Sequence, residues 1–278
     1  MSRATVINVA LVLLVAGLAL FLYLRPKPGL APELALSALD PDQVTRLRVE
    51  RGGPAMALEK RAGAWYLVEP YRARADAFRV RQLLDVLSAK ASRKLPATDL
   101  ARFDLDHPAV RVVFNDQAIA FGTVNEMSNE QYVQAGDGVY LIPMRHAAAL
   151  PADASALTGR QLFAPDEEPV EINIGAVSMT QQDGRWVLSP ETSDLSADDL
   201  NRWGEDWKSA ASLLTRQSDA SRGGDTIAVR LKSGKSVRLV VLQREPELVL
   251  AREDERLQYH FSVAAGKRLL TVPSAAAK

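Results

Sequence analysis

Cysteine is absent from all 278 residues, so the chain can form no disulfide, thiolate nucleophile, iron-sulfur cluster or zinc finger. Histidine is scarce. His107, His146 and His260 fall in three different predicted elements, with no pair spaced to share a metal on one helix face, and they read as structural or solvated side chains. No metal or cofactor is expected. Net charge is missing too: Lys+Arg 34 balance Asp+Glu 34. No basic field exists to hold a phosphate backbone, and no nucleic-acid partner is expected.

The usual nucleophile patterns are also lacking. No serine stands between glycines at a strand-to-helix turn, and Ser88-Ala89-Lys90 and Ser92-Arg93-Lys94 have the wrong spacing for Ser-x-x-Lys chemistry. Gly52-Gly53 and Gly223-Gly224 are turn glycines rather than phosphate cradles. With 34 acids, carboxylate pairs carry no information without geometry, and Asp166-Glu167-Glu168 reads as a solvated linker rather than a calcium loop. No catalytic residue is assigned.

One long apolar run is present. Val6 to Leu24 has Asn8 as its only strongly polar side chain. As a single helix it would be roughly 28 Å long, close to the hydrocarbon thickness of a bilayer, with Tyr23 at interfacial depth. A cleaved signal peptide is the competing reading. The run exceeds a usual signal core, however, and is followed at once by Arg25-Pro26-Lys27-Pro28-Gly29 with no small-x-small site. The expectation is an N-terminal tail and transmembrane anchor over residues 1–24, in contact with lipid through residues 6–24. Arg3 and the α-amino group on one side tie with Arg25 and Lys27 on the other, so charge leaves the orientation open.

Pro26, Pro28 and Pro32 make residues 25–43 an extended spacer. The remainder divides into modules at 44–165 and 166–278, because one pattern occurs twice. Gly63-x-Trp65-x-Leu67 followed by Pro70 returns as Gly184-x-Trp186-x-Leu188 followed by Pro190. Alternating strands precede each copy, and a helix follows. The first helix carries Val80, Leu83, Leu84 and Leu87 behind an Asp76 cap; the second carries Leu200, Trp203, Trp207, Ala210 and Leu214 behind Ser196. Four more strands complete each module. The predicted class is α+β: a transmembrane helix, then two tandem similar modules, each a mostly antiparallel sheet with one main helix.

Two features bear on binding. Asn125, Glu126, Met127, Ser128, Asn129 and Glu130 form a polar connection with a methionine in its middle, longer than a hairpin requires, and are the candidate partner-contact loop. Against this stands a solvated loop whose methionine folds back on the sheet. Trp65, Trp186, Trp203 and Trp207 sit where core packing is favoured over a ligand-stacking platform.

Gly63-x-Trp65-x-Leu67-x-x-Pro70, Phe103-Asp104-Leu105-Asp106-x-Pro108, Ile119-Ala120-Phe121-Gly122, Tyr132-Val133 and Val139-Tyr140-Leu141-Ile142 together resemble the proteins catalogued as domain of unknown function 4340, DUF4340. The likeness is best over residues 44–165. That family usually carries glycine where Asp104 stands. The resemblance implies a single-pass bacterial inner-membrane protein with a periplasmic soluble part, grouped with auxiliary proteins of ABC transporters of the gliding-motility type, and it brings no catalytic residues. The leading functional expectation is a non-enzymatic accessory module with a transporter or other membrane-protein partner. The alternatives are a hydrolase using carboxylates between the modules and a small-ligand or glycan binder.

Overall fold

The computed structural model describes residues 13–21, 34–191, 195–218 and 224–271. The first described element is a helix, α1, over residues 13–21. Among the described residues no helix is long and apolar enough to cross a membrane. The expected transmembrane helix is therefore corrected, and with it the single-pass inner-membrane placement. The ends of the apolar run, 6–12 and 22–24, and spacer residues 25–33 lie outside the described residues.

The α+β expectation is corrected as well, because antiparallel sheet dominates and helices are few. A short β1 (Leu34–Ala35) precedes a meander of β2 (Arg46–Glu50), β3 (Met56–Arg61) and β4 (Ala64–Glu69), which ends in β5 (Ala73–Arg74). Helix α2 (Ala77–Leu84) follows, capped by the Asp76 carboxylate, which accepts from the Phe78 and Arg79 amides. It ends three residues short of Leu87, the last residue of the predicted stripe, which falls in the turn beyond the Asp85 C-cap. Next come β6 (Lys90–Ala91) and β7 (Arg93–Pro96), then a second meander of β8 (Val110–Phe114), β9 (Gln117–Asn125), β10 (Glu130–Ala135) and β11 (Gly138–Pro143). The nine-stranded sheet has the order β5-β4-β3-β2-β8-β9-β10-β11-β7. The helix thus carries the chain from one edge to the other before the second meander returns.

The second half runs β12 (Pro169–Ile174), β13 (Val177–Gln182), β14 (Arg185–Ser189), α3 (Ala197–Lys208), β15 (Leu214–Gln217), β16 (Thr226–Leu231), β17 (Ser236–Gln243), β18 (Leu248–Arg252), β19 (Leu257–Phe261) and α4 (Val263–Leu270). Its sheet order, β14-β13-β12-β16-β17-β18-β19-β15, repeats the first from β4 through β7. Helix α3 stops at Lys208, so Leu214 lies in an edge strand and not on the helix stripe. Among the described residues the second half also has two helices, α3 and α4, where one main helix was expected.

A single buried apolar cluster joins the halves, running from Val44, Leu47 and Val49 through Leu157, Leu162 and Phe163 to Trp207, Tyr259 and Leu269. A smaller cluster of Phe103, Leu105, Ala120 and Val139, with Tyr132 packed on it, forms separately in the first half. It depends on a close approach. A Cβ on Gly122 would lie 2.0 Å from the Phe103 carbonyl oxygen, so only glycine lets the 3₁₀ turn Leu100–Phe103 rest against β9. Asp104 follows that turn with φ 54° and ψ 35°, taking up the left-handed conformation where the family usually places glycine. Its amide donates to the Leu100 and Ala101 carbonyls, closing the turn.

Candidate functional site

The predicted contact loop is a hairpin tip. Asn125 and Glu130 face each other as the last ladder pair of β9 and β10, which leaves a four-residue turn of Glu126, Met127, Ser128 and Asn129. Asn129 supplies the left-handed residue at φ 53°. The Asn125 Oδ1 accepts from the Met127 amide at 3.1 Å, an Asx turn that bends the tip. Met127 does not fold back on the sheet: its side chain is 99% exposed. The stalk beneath is braced. Gln131 Nε2 donates to the Gly122 carbonyl at 2.8 Å, Asn125 Nδ2 reaches the Tyr132 hydroxyl at 3.4 Å, and the Tyr132 ring lies 4.6 Å from that of Phe103. Phe103, Gly122 and Tyr132, drawn from three separate stretches of sequence, therefore meet at the base of this hairpin.

A second polar concentration lies where the halves join. Arg252, 1% exposed at the end of β18, directs Nη1 to the Leu162 carbonyl at 2.6 Å and to Glu167 Oε2 at 2.7 Å, and Nη2 to Glu167 Oε1 at 2.6 Å. Its Nε donates to Asp254 Oδ1 at 3.0 Å. Arg74 of the first sheet reaches across, with Nε 3.0 Å from Glu255 Oε1 and Nη2 3.2 Å from the Tyr259 hydroxyl. The Tyr259 hydroxyl in turn donates to Glu255. Glu167, read from sequence as part of a solvated linker, is thus the main partner of a buried arginine. No local pattern announces a pairing across 85 positions; the one hint is an arginine closing a strand whose neighbours are all apolar.

The electrostatics of this junction oppose acid-base chemistry. Burial alone would raise the Glu167 carboxyl, yet the Arg252 and Ala164 hydrogen bonds pull it from 4.5 down to about 2. Asp254 behaves alike: burial pushes upward, and bonds from Arg252 and Lys235 bring it from 3.8 to about 2. Burial, then the Glu255 charge, raises the Tyr259 hydroxyl well above the ordinary phenol range, so it remains a donor. A general acid needs a raised carboxyl, and these are lowered.

A stability prediction follows. Both carboxylates have folded values below their unfolded ones, so their contribution is fully present above about pH 5 and is lost as pH falls through about 2. Unfolding free energy measured by urea titration is expected to drop by about 3 kcal/mol from this pair between those limits, after allowance for solvent screening. A flat profile over that range would show that the junction does not hold its charges as described.

The remaining candidates separate. His107 is exposed, His146 is buried with its basicity lowered by burial and then by Arg145, and His260 Nδ1 lies 2.8 Å from Glu247 Oε1. Among the described residues no three His, Asp or Glu side chains are grouped to hold a metal ion. Trp186, Trp203 and Trp207 are 3%, 3% and 0% exposed, and Trp65 is partly buried against the core, which leaves no open indole platform among them. Between the halves lies a cleft of about 300 Å³ lined by Arg51, Pro54, Met56, Tyr71, Asp153 and Arg216, among others.

The model of a family described as domain of unknown function (DUF4340) matches residues 65–232. The chain belongs to this family. No curated protein and no solved structure matches it. The DUF4340 match opens at Trp65 in β4 and ends just after β16, so it takes in the hairpin tip, Leu162 and Glu167 of the junction, and α3. It extends well past residue 165, where the resemblance by individual residues was strongest.

Proposed function

We propose that this DUF4340 protein is a non-enzymatic interaction module that presents the β9–β10 hairpin tip to a protein partner, with a subunit of an ABC-type transporter or another membrane protein as the partner class. The carrying observation is Met127, wholly exposed on a tip whose stalk is fixed by the Asn125, Gln131 and Tyr132 contacts. A flexible, polarisable side chain on a rigid base loses little conformational freedom on docking beyond its own rotamers. Association with a transporter is supported by the family resemblance alone.

Replacing Met127 with a photo-crosslinking residue in the full chain, in its native cells, is the test. The expected result is one discrete high-mass adduct from that position. The same residue at Asp183, the exposed β13–β14 turn, should give none. Adduct patterns that do not differ between the two tips would remove the proposal.

A further inference from the structure

The cleft between the halves holds two cations without carboxylate partners. It is walled by the β2–β3 loop with Arg51 and Pro54, by Pro70 and Tyr71 after β4, by residues 152–155 of the linker, and by Arg216 and Gln217 of β15. Arg51 Nη1 donates to the Pro151 carbonyl at 3.1 Å, which steadies the guanidinium without neutralising it. The Arg216 guanidinium makes no hydrogen bond or ion pair with any described residue, although it is close enough to Tyr71 and Asp153 to influence both.

Asp153 does not cancel these cations by contact. Its Oδ1 accepts from the Ser155 hydroxyl, the Ser155 amide at 2.9 Å and the Ala156 amide at 3.4 Å, so it is committed to capping the 3₁₀ turn Ala154–Leu157. Tyr71 is committed as well. Thr158 Oγ1 spends its proton on the Ala154 carbonyl at 2.9 Å, so the Tyr71 hydroxyl must be the donor in its 2.9 Å contact with Thr158. The charged donors left facing the cleft are the two guanidinium groups, with the Gln217 amide beside them. Two arginines and one aspartate sum to a formal charge of +1, which a monoanion balances. Apart from Ser155 and Gln217, the rest of the lining is uncharged and mostly apolar: Pro54, Met56, Pro70, the Tyr71 ring and two alanines.

We propose that this cleft binds a small organic carboxylate, its anionic end held between Arg51 and Arg216 and its apolar body against Met56, Pro70 and Tyr71. Guanidinium matches carboxylate geometry, and the volume suits a ligand of about ten heavy atoms. Inorganic phosphate fits poorly, since it brings excess charge and no apolar body. The bound ligand would touch the first sheet, the linker and β15 together, and so would fasten the two halves. The site is independent of the hairpin tip.

Titration of the full chain with benzoate, benzamide and inorganic phosphate at matched ionic strength tests this. Benzoate is expected to bind saturably with a Kd on the order of 1 mM and, at about 50 Kd, to raise the melting temperature by about 5 °C. Benzamide and phosphate should show no saturable effect. Arg216→Gln and Arg51→Gln should each weaken benzoate about tenfold. Arg216→Gln should change the unliganded melting temperature by no more than an ordinary surface substitution does, because the guanidinium has no hydrogen bond or ion pair to lose and only its charge acts on Asp153 and Tyr71. No saturable benzoate binding, benzamide or phosphate binding as well as benzoate, or full affinity in Arg216→Gln would each overturn the proposal.

Discussion

Gly204→Ala is expected to destabilise the protein by about 2 kcal/mol, although the same change in an exposed helix stabilises by about 1 kcal/mol. Gly204 lies inside α3, where glycine is a poor helix former and alanine the best. What decides the sign is the neighbour on β14. A Cβ at this position would sit 2.1 Å from Trp186 Nε1, 2.4 Å from Cε2 and 2.5 Å from Cδ1. The indole cannot swing aside, because Trp186 is 3% exposed within the main core. Either the ring leaves its packing or the helix moves off the sheet, and both cost more than propensity returns. Urea unfolding of Gly204→Ala, Trp186→Val and the double variant measures the coupling. The double variant should lose less than the sum of the singles, since removing the ring removes the clash. A Gly204→Ala protein more stable than the parent would mean that α3 does not press on Trp186.

That contact shows what a one-dimensional reading can reach. The recurring Gly-x-Trp-x-Leu stretches fall on β4 and β14, which hold equivalent places in the two strand orders, and family membership was legible from the residues around Phe103, Gly122 and Tyr132. Strands such as β8 and β16 were legible because alternation of buried and exposed positions is a local signal. Strands β7 and β15, with sequences RKLP and LTRQ, have no such alternation and exist because the far edge of each sheet offers them a ladder. The end of α3 was misplaced because Ala210 and Leu214 continue its apolar spacing after the backbone has left the helix. Of the apolar run 6–24, residues 13–21 are described and helical, and among the described residues no helix is long and apolar enough to cross a membrane. As for the sites, the hairpin tip was legible as a polar connection, but the exposure of Met127 was not. Neither the Arg252 junction nor the Arg51 and Arg216 cleft could be seen, because each is assembled from segments far apart in sequence.

Removing the guanidinium at the junction should have the larger effect. Arg252→Met is expected to cost about 3 kcal/mol at pH 7, because it leaves Glu167 and Asp254 ionised with only the half-exposed Lys235 ammonium to share, and the Leu162 carbonyl without its donor. An exposed pair sets the contrast. Arg46 and Asp116 lie 3.4 Å apart with side chains 65% and 93% exposed, so Asp116→Ala should change stability by less than about 0.5 kcal/mol. The burial of Arg252 also gives the deficit a pH signature. In the parent, stability falls as the two carboxyls are protonated toward pH 2, whereas without Arg252 their protonation relieves repulsion and desolvation. The difference between parent and Arg252→Met should therefore be greatest near neutrality and shrink at pH 3. Combining Arg252→Met with Glu167→Gln should restore part of the loss, since an unpaired buried charge costs more than a missing pair. A deficit below 1 kcal/mol, or one that is constant with pH, would show that solvent, not Arg252, balances these carboxylates.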